Sequence, residues 1–294
     1  MALWNKETEK RFFKWSLRSF SPSQLFYQTE DGKYFAYWPK DYKGRRYTLQ
    51  SRNALIGAFT GEFCRSLVQS ILPKGFFAIQ EAICYELGLE GNSKADLVIA
   101  RSNRKELSAG EICLIFEVKM SIVWNWELKV SGKRYKLECI GDYKSHRGTP
   151  GILRSDSVLK AIGKCIDVRL SSERAKKIPL IVLANTHITR FYYNKVDLLK
   201  KYGLIQGFWS LNPKPLEDTS DPDNLKMTPQ SGFYRFDNET ELKEKLLQIL
   251  KMDFTFFAGM LDKETLGKII ATAGKELDNK TRAEKFLELL EKWQ

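Results

Sequence analysis

The sequence predicts an α/β protein with an αβββαβ core, a mixed central sheet, an inserted basic hairpin and a helical C-terminal region. Three observations predict it. Residues 53–72 place Leu55, Ile56, Phe59, Phe63, Leu67 and Ile71 at helical spacing. Apolar runs of strand length follow at 76–85, 94–100 and 112–119. A second helical pattern at 155–169 then leads into a buried-strand run at 178–185, the arrangement of a parallel crossover.

Residues 1–50 read as an N-terminal extension. Positions 7–20 are predicted helical, with Phe12, Phe13 and Trp15 available for packing. Residues 24–29 and 33–38 flank Asp31-Gly32, a hairpin signal. Lys43-Gly44-Arg45-Arg46-Tyr47 mixes basic and aromatic residues, which suits either a grip on a phosphate backbone or a solvated loop. The core is assigned to 51–210. Its first helix ends at Pro73 and Gly75, and its first strand holds Gln80 and Glu81.

The strands at 94–100 and 112–119 carry the chemistry. Asp96 stands at the start of one; Glu117 and Lys119 stand at the end of the other. Alternation puts Glu117 and Lys119 on the same face, and strand pairing can bring Asp96 beside them. Two carboxylates held that close repel each other unless a positive charge sits between them. A hard divalent cation such as Mg²⁺ meets that need with only one or two protein carboxylates. A solvated strand end is the plainer reading. Against it, Glu117 follows five apolar residues, and charges are rarely buried unless paired or bound to metal.

Asp96 followed by Glu117-Val118-Lys119 resembles the PD-(D/E)xK nuclease superfamily over about 51–185, with Ala95 where the motif's name has proline. Chain length and surroundings most resemble a type II restriction endonuclease. The resemblance implies a restriction-endonuclease-like fold and sequence-specific hydrolysis of double-stranded DNA. It further implies one or two Mg²⁺ ions held by Asp96 and Glu117, with Lys119 orienting water or contacting the scissile phosphate. A glutamate on the preceding helix often assists in relatives. Glu62 occupies that place, at the margin of the apolar stripe, where an ordinary boundary glutamate would also fit. A palindromic target implies a homodimer.

Residues 121–155 form the inserted element. Trp124, Trp126, Leu128 and Val130 alternate with polar residues, and Tyr135, Leu137 and Cys139 do the same after Ser131-Gly132. Between positions 129 and 160 there are eight Lys/Arg against three Asp/Glu. This excess makes Lys129, Lys133, Arg134, Lys136, Lys144, Ser145, His146, Arg147, Arg154 and Lys160 the candidate DNA contacts. A surface hairpin charged for solubility is the alternative. In the following helix, Ser155 or Asp156 is the expected cap, and Lys160 and Lys164 share a face one turn apart. A short helix at 194–202 ends at Gly203. Residues 211–235 read as a loop or linker, because 212–232 hold four of the nine prolines. Helices are predicted at 238–251, 262–277 and 279–293 within the C-terminal region 236–294.

Composition narrows the partners. The 294-residue chain carries a formal charge of +12, which favours a polyanion. Without a long apolar run or an interfacial amphipathic helix, no membrane partner is expected. Met1 to Glu7 lack a signal-peptide core, so a prokaryotic cytoplasm fits. Five cysteines without a Cys-x-x-Cys pair, and two histidines, read as free thiols and make a structural zinc site unexpected. Walker and Rossmann glycine motifs are absent. Two rivals stay open: a structure-specific repair or recombination nuclease using the same residues, and a DNA-binding protein without catalysis. An RNA-binding protein, suggested by charge and aromatics alone, ranks below both, since no RNP-like or Gly-x-x-Gly pattern occurs.

Overall fold

The structure is a computed structural model that describes residues 2–132, 134–252 and 261–293. It is a mixed α/β protein with eight α-helices among the described residues. The helices are α1 (Lys6–Ser16), α2 (Pro22–Leu25), α3 (Gln50–Ile71), α4 (Ser155–Ser171), α5 (Tyr193–Lys201), α6 (Glu239–Lys251), α7 (Lys263–Ala273) and α8 (Asn279–Trp293). The strands are β1 (Tyr27–Gln28), β2 (Tyr34–Phe35), β3 (Phe77–Ala82), β4 (Ala95–Ala100), β5 (Ile112–Lys119), β6 (Asn125–Ser131), β7 (Arg134–Gly141), β8 (Leu180–Ala184), β9 (Gly207–Ser210) and β10 (Phe233–Arg235).

Six strands form the main sheet in the order β10-β9-β8-β5-β4-β3. The β3-β4-β5 half is antiparallel, and β5, β8, β9 and β10 run parallel. Alternation along the strands divides the core. Leu97, Ile99, Leu114, Phe116, Ile181 and Leu183 pack with Ile56, Phe63 and Leu67 of α3. Val98, Ile115, Val182 and Ala184 pack with Val158, Ala161, Cys165 and Val168 of α4. Apolar helix stripes pressed on both faces of the sheet provide the main drive to fold.

A second sheet, β1-β2-β6-β7, is antiparallel throughout. It binds the N-terminal residues to the inserted hairpin. Trp4, Phe12, Phe13, Leu25 and Phe26 share one core with α3, Trp126 and Leu128. Residues 2–50 therefore belong to the body of the protein instead of extending from it. The C-terminal pair α7 and α8 packs around its own small cluster of Leu261, Ile269 and Leu290.

Several sequence expectations shift. Residues 22–25 are a helical turn begun by Pro22, so only Tyr27 and Gln28 remain of the expected 24–29 strand. Neither Ser155 nor Asp156 caps α4: its N-cap is Arg154, whose guanidinium takes both Asp156 oxygens at 3.0 and 2.7 Å. Asn238 does cap α6, accepting from the Glu241 N–H at 2.9 Å. Strands β9 and β10 have no counterpart in the sequence reading. They are four and three residues long, too short to show a period. All five cysteines are free; Cys64, Cys84 and Cys165 are buried.

Candidate active site

Strand β5 ends in Glu117-Val118-Lys119. Phe116 packs on the α3 side, so Ile115 and Glu117 face α4. Glu117 is only 5 % exposed. Its Oε1 accepts from Lys119 Nζ, two residues on along the same face. Its Oε2 lies 2.9 Å from Nζ of Lys164, which reaches in from α4.

The same Lys164 ammonium donates to Asp96 Oδ1 at 3.2 Å and to the Lys94 carbonyl at 3.1 Å. The Val118 N–H donates to Asp96 Oδ2 at 2.7 Å, tying the acid directly to β5. Two carboxylates and two ammonium groups thus converge where β4 begins and β5 ends. Gln80 pairs with Leu97 and Ala82 with Ala95, one register on either side of Glu81 and Asp96. Glu81 holds φ = 54°, the left-handed region. That conformation costs a non-glycine residue on the order of 1–3 kcal/mol, and such strain concentrates beside functional sites.

Burial pushes the Glu117 carboxyl above its ordinary value, and the Asp96 charge adds to the push; Lys119 and Lys164 oppose it. Lys164 resolves the other way. Burial lowers its pKa, but the charges of Glu117 and Asp96 outweigh burial and hold it above the ordinary lysine value. The Lys164 ammonium occupies the shared focus of two carboxylates, the place a cation takes in an oxygen-ligand site. The donor set fits Mg²⁺, which needs one or two carboxylates and fills its remaining positions with water and phosphate. Among the described residues no cluster of three or more Asp, Glu, His or Cys positioned for a metal forms.

Glu62 is the correction. Its side chain is exposed and held on its own helix by Arg65, at 2.8 and 2.6 Å, and by Ser66 at 2.8 Å. It has a local partner for each oxygen and does not join Asp96 and Glu117.

The candidate DNA contacts divide. Lys129 and Lys136 both pair with Glu138, and their charges hold its carboxyl down at about 2. Lys144 is taken by Asp221 and Asp223. The Ser145 hydroxyl donates to the Asp142 carbonyl at 2.6 Å. His146 is buried and stacked on Tyr37 at 3.9 Å, and burial lowers its pKa to about 4. Lys129, Lys136 and Lys144 of the expected basic hairpin and loop thus have acidic partners, and His146 is a packing residue. Arg134 is exposed on β7 and Lys160 on α4; Lys133 lies outside the described residues. Arg147 and Arg154 are brought toward the cluster. With Lys119 they line a cleft of about 590 Å³.

Sequence reasoning missed Lys164 and Arg52. The available signal for Lys164 was its place next to Cys165, on the inward stripe of a helix crossing the sheet. Arg52, almost wholly buried at the start of α3, gave none. No family model matches this chain, and no curated protein or solved structure shows significant similarity to it.

Proposed function

We propose that the protein is a metal-dependent endonuclease that hydrolyses phosphodiester bonds in double-stranded DNA, of the PD-(D/E)xK kind. The observation that carries this reading is the meeting of Asp96, Glu117 and Lys119 on adjacent strands, with Lys119 also lining a cationic cleft. The order of one helix, three antiparallel strands, a crossover helix and a parallel strand supports it. A formal charge of +12 supports a polyanionic substrate.

In this mechanism Asp96 and Glu117 hold the cation. When bound, Mg²⁺ acidifies water and neutralises charge building on the phosphate. Lys119 is paired with the Glu117 carboxylate at the end of β5, so it acts as an electrostatic and orienting group. It aligns the attacking water or the scissile phosphate for in-line displacement, leaving a 5′-phosphate and a 3′-hydroxyl. Lys164 keeps the two acids together before the cation arrives. A sequence-specific enzyme of the type II restriction class, working as a homodimer, is the form of this activity that we propose.

The test is Mg²⁺-dependent cutting of supercoiled plasmid. Asp96→Ala and Glu117→Ala are expected to lose at least about 100-fold in rate while still binding DNA in EDTA. Discrete fragments mean sequence-specific cutting, whereas a smear or nicking at distorted sites means a structure-specific nuclease. A folded Asp96→Ala variant that cuts at the wild-type rate ends the assignment.

A further inference from the structure

The cleft beside Lys119 has properties that hydrolysis alone does not require. It lies between the 46–57 segment and the 147–157 segment, with Val118 and Lys119 in its floor. Its cations are Arg46, Arg52, Lys119, Arg147 and Arg154; among the described residues no acidic residue lines it, the partners Glu117 of Lys119 and Asp156 of Arg154 lying outside the lining. Arg46 is exposed, and Arg147 is anchored by donating to the Lys40 carbonyl at 2.6 Å. Tyr27, Tyr37 and Trp38 give the wall an aromatic surface.

Arg52 is built into that wall. Its guanidinium lies 4.8 Å from the Tyr27 ring and 5.5 Å from the Tyr37 ring. Its Nη1 donates to the Leu25 carbonyl at 3.2 Å and to the Ala36 carbonyl, while its buried Nε has no hydrogen-bond partner. Gly57 leaves the α3 backbone bare on this side, with open space where a Cβ would stand. Positive charge, aromatic surface and a small-residue gap together suit a phosphate with its attached base.

Size decides how much nucleic acid enters. About 590 Å³ falls among pockets that hold one small organic molecule, roughly 300–1,000 Å³. A duplex, whose major groove alone is about 12 Å wide, stays outside. We infer that this cleft receives a single unpaired nucleotide next to the scissile phosphate, so that the strand is cut where one base leaves the helical stack. The inference rests on the nuclease reading and deepens it. Extruding a base costs least where that base is already unpaired, so the substrate preferred for binding is a duplex carrying an unpaired nucleotide.

The test measures binding, without metal, by fluorescence anisotropy in EDTA. Two labelled duplexes of the same sequence are compared, one fully paired and one with a single bulged nucleotide. The wild-type protein is expected to bind the bulged duplex about 10-fold or more tightly. Two variants address the cleft: Arg46→Glu reverses an exposed charge, and Gly57→Leu fills the gap on α3. Both are expected to abolish the preference for the bulge, whereas Lys280→Glu on α8 keeps it. Equal wild-type affinity for the two duplexes overturns the inference, as does a loss in both cleft variants that is the same for both duplexes. Plasmid cleavage by Asp96→Ala, run alongside, separates the two readings. A bulge preference with undiminished Asp96→Ala cutting rejects the hydrolytic site alone. Abolished cutting without a bulge preference rejects the cleft alone.

Discussion

Two glutamates are buried among the described residues, and they are stabilised in different ways. Glu9 of α1 is fully buried and paired with neutral donors. It accepts from Trp4 Nε1 at 3.0 Å, the Val123 N–H at 2.6 Å, the Trp124 N–H at 3.2 Å and Trp126 Nε1 at 2.9 Å. Glu117 is paired with the ammonium groups of Lys119 and Lys164. The donors to Glu9 are fixed backbone and indole groups that no ligand displaces. The lysines around Glu117 sit on flexible stems and can yield to a cation or a phosphate. Glu9 pins α1 to the start of the hairpin. In the function proposed above, Glu117 holds charge ready for a ligand.

The largest expected effect tests the structural member of the pair. Glu9→Ala leaves four buried N–H donors unpaired, each costing about 1–3 kcal/mol. A stability loss of several kcal/mol in urea unfolding is expected, and a loss below about 1 kcal/mol contradicts the role. Next is Lys164→Met. It leaves Asp96 and Glu117 facing each other with one cation removed, so metal-free stability should fall by about 1–3 kcal/mol. Added Mg²⁺ should recover part of that loss, and more than it adds to the wild-type protein. Equal Mg²⁺ stabilisation of both proteins contradicts an ammonium standing in the cation's place.

The pH dependence sharpens the contrast further. Burial raises Glu9 to about 7, with its four donors opposing the shift. A raised acid contributes stability that is fully present below its unfolded value of about 4.5 and lost as pH rises through about 7. The raised Glu117 has the same sign. Raised Lys164 contributes up to the ordinary lysine value of 10.5 and loses its contribution only above that. His146 and His187, lowered to about 4 by burial, run oppositely, losing stability as pH falls from the ordinary histidine value of 6.5. The comparison with Glu9→Gln isolates the glutamate: from pH 5 to 8 the wild-type protein should lose about 2.5 kcal/mol more than the variant. Parallel curves contradict an ionising Glu9. The smallest effect belongs to Glu62→Ala, which removes a surface pair worth about 0–1 kcal/mol and should change cleavage less than about two-fold.

The Asp96–Glu117–Lys119 cluster was legible in the sequence, and the partners of Glu9 were not. Asp96, Glu117 and Lys119 sit on apolar runs whose strand period fixes which side chains share a face. The partners of Glu9 lie as far as 117 residues away, and nothing local on α1 points to them. The helical period of α4 placed Lys164 on a face with Lys160, but which sheet carboxylates it reaches is set by how α4 packs. Glu62 illustrates the converse: helical periodicity placed it at the stripe's edge, but Arg65, one turn on, competes for its carboxylate and holds it. The hairpin and its basic excess were legible, yet the pairing of its charges was not, because register sets Lys129 opposite Lys136 and diagonal to Glu138, which both lysines then share. The short strands β9 and β10 are held by their parallel neighbours more than by their own composition.

The central claim is that the Asp96–Glu117–Lys119 cluster performs chemistry while Glu9 performs assembly. The most direct measurement crosses the two: plasmid cleavage in Mg²⁺ and urea unfolding, each on Asp96→Asn and Glu9→Gln. Asp96→Asn is expected to unfold near the wild-type midpoint and to lose at least about 100-fold in cleavage. Glu9→Gln is expected to unfold earlier and, where folded, to cut at close to the wild-type rate. An Asp96→Asn protein that is folded and still cuts plasmid as the wild type does would contradict the account.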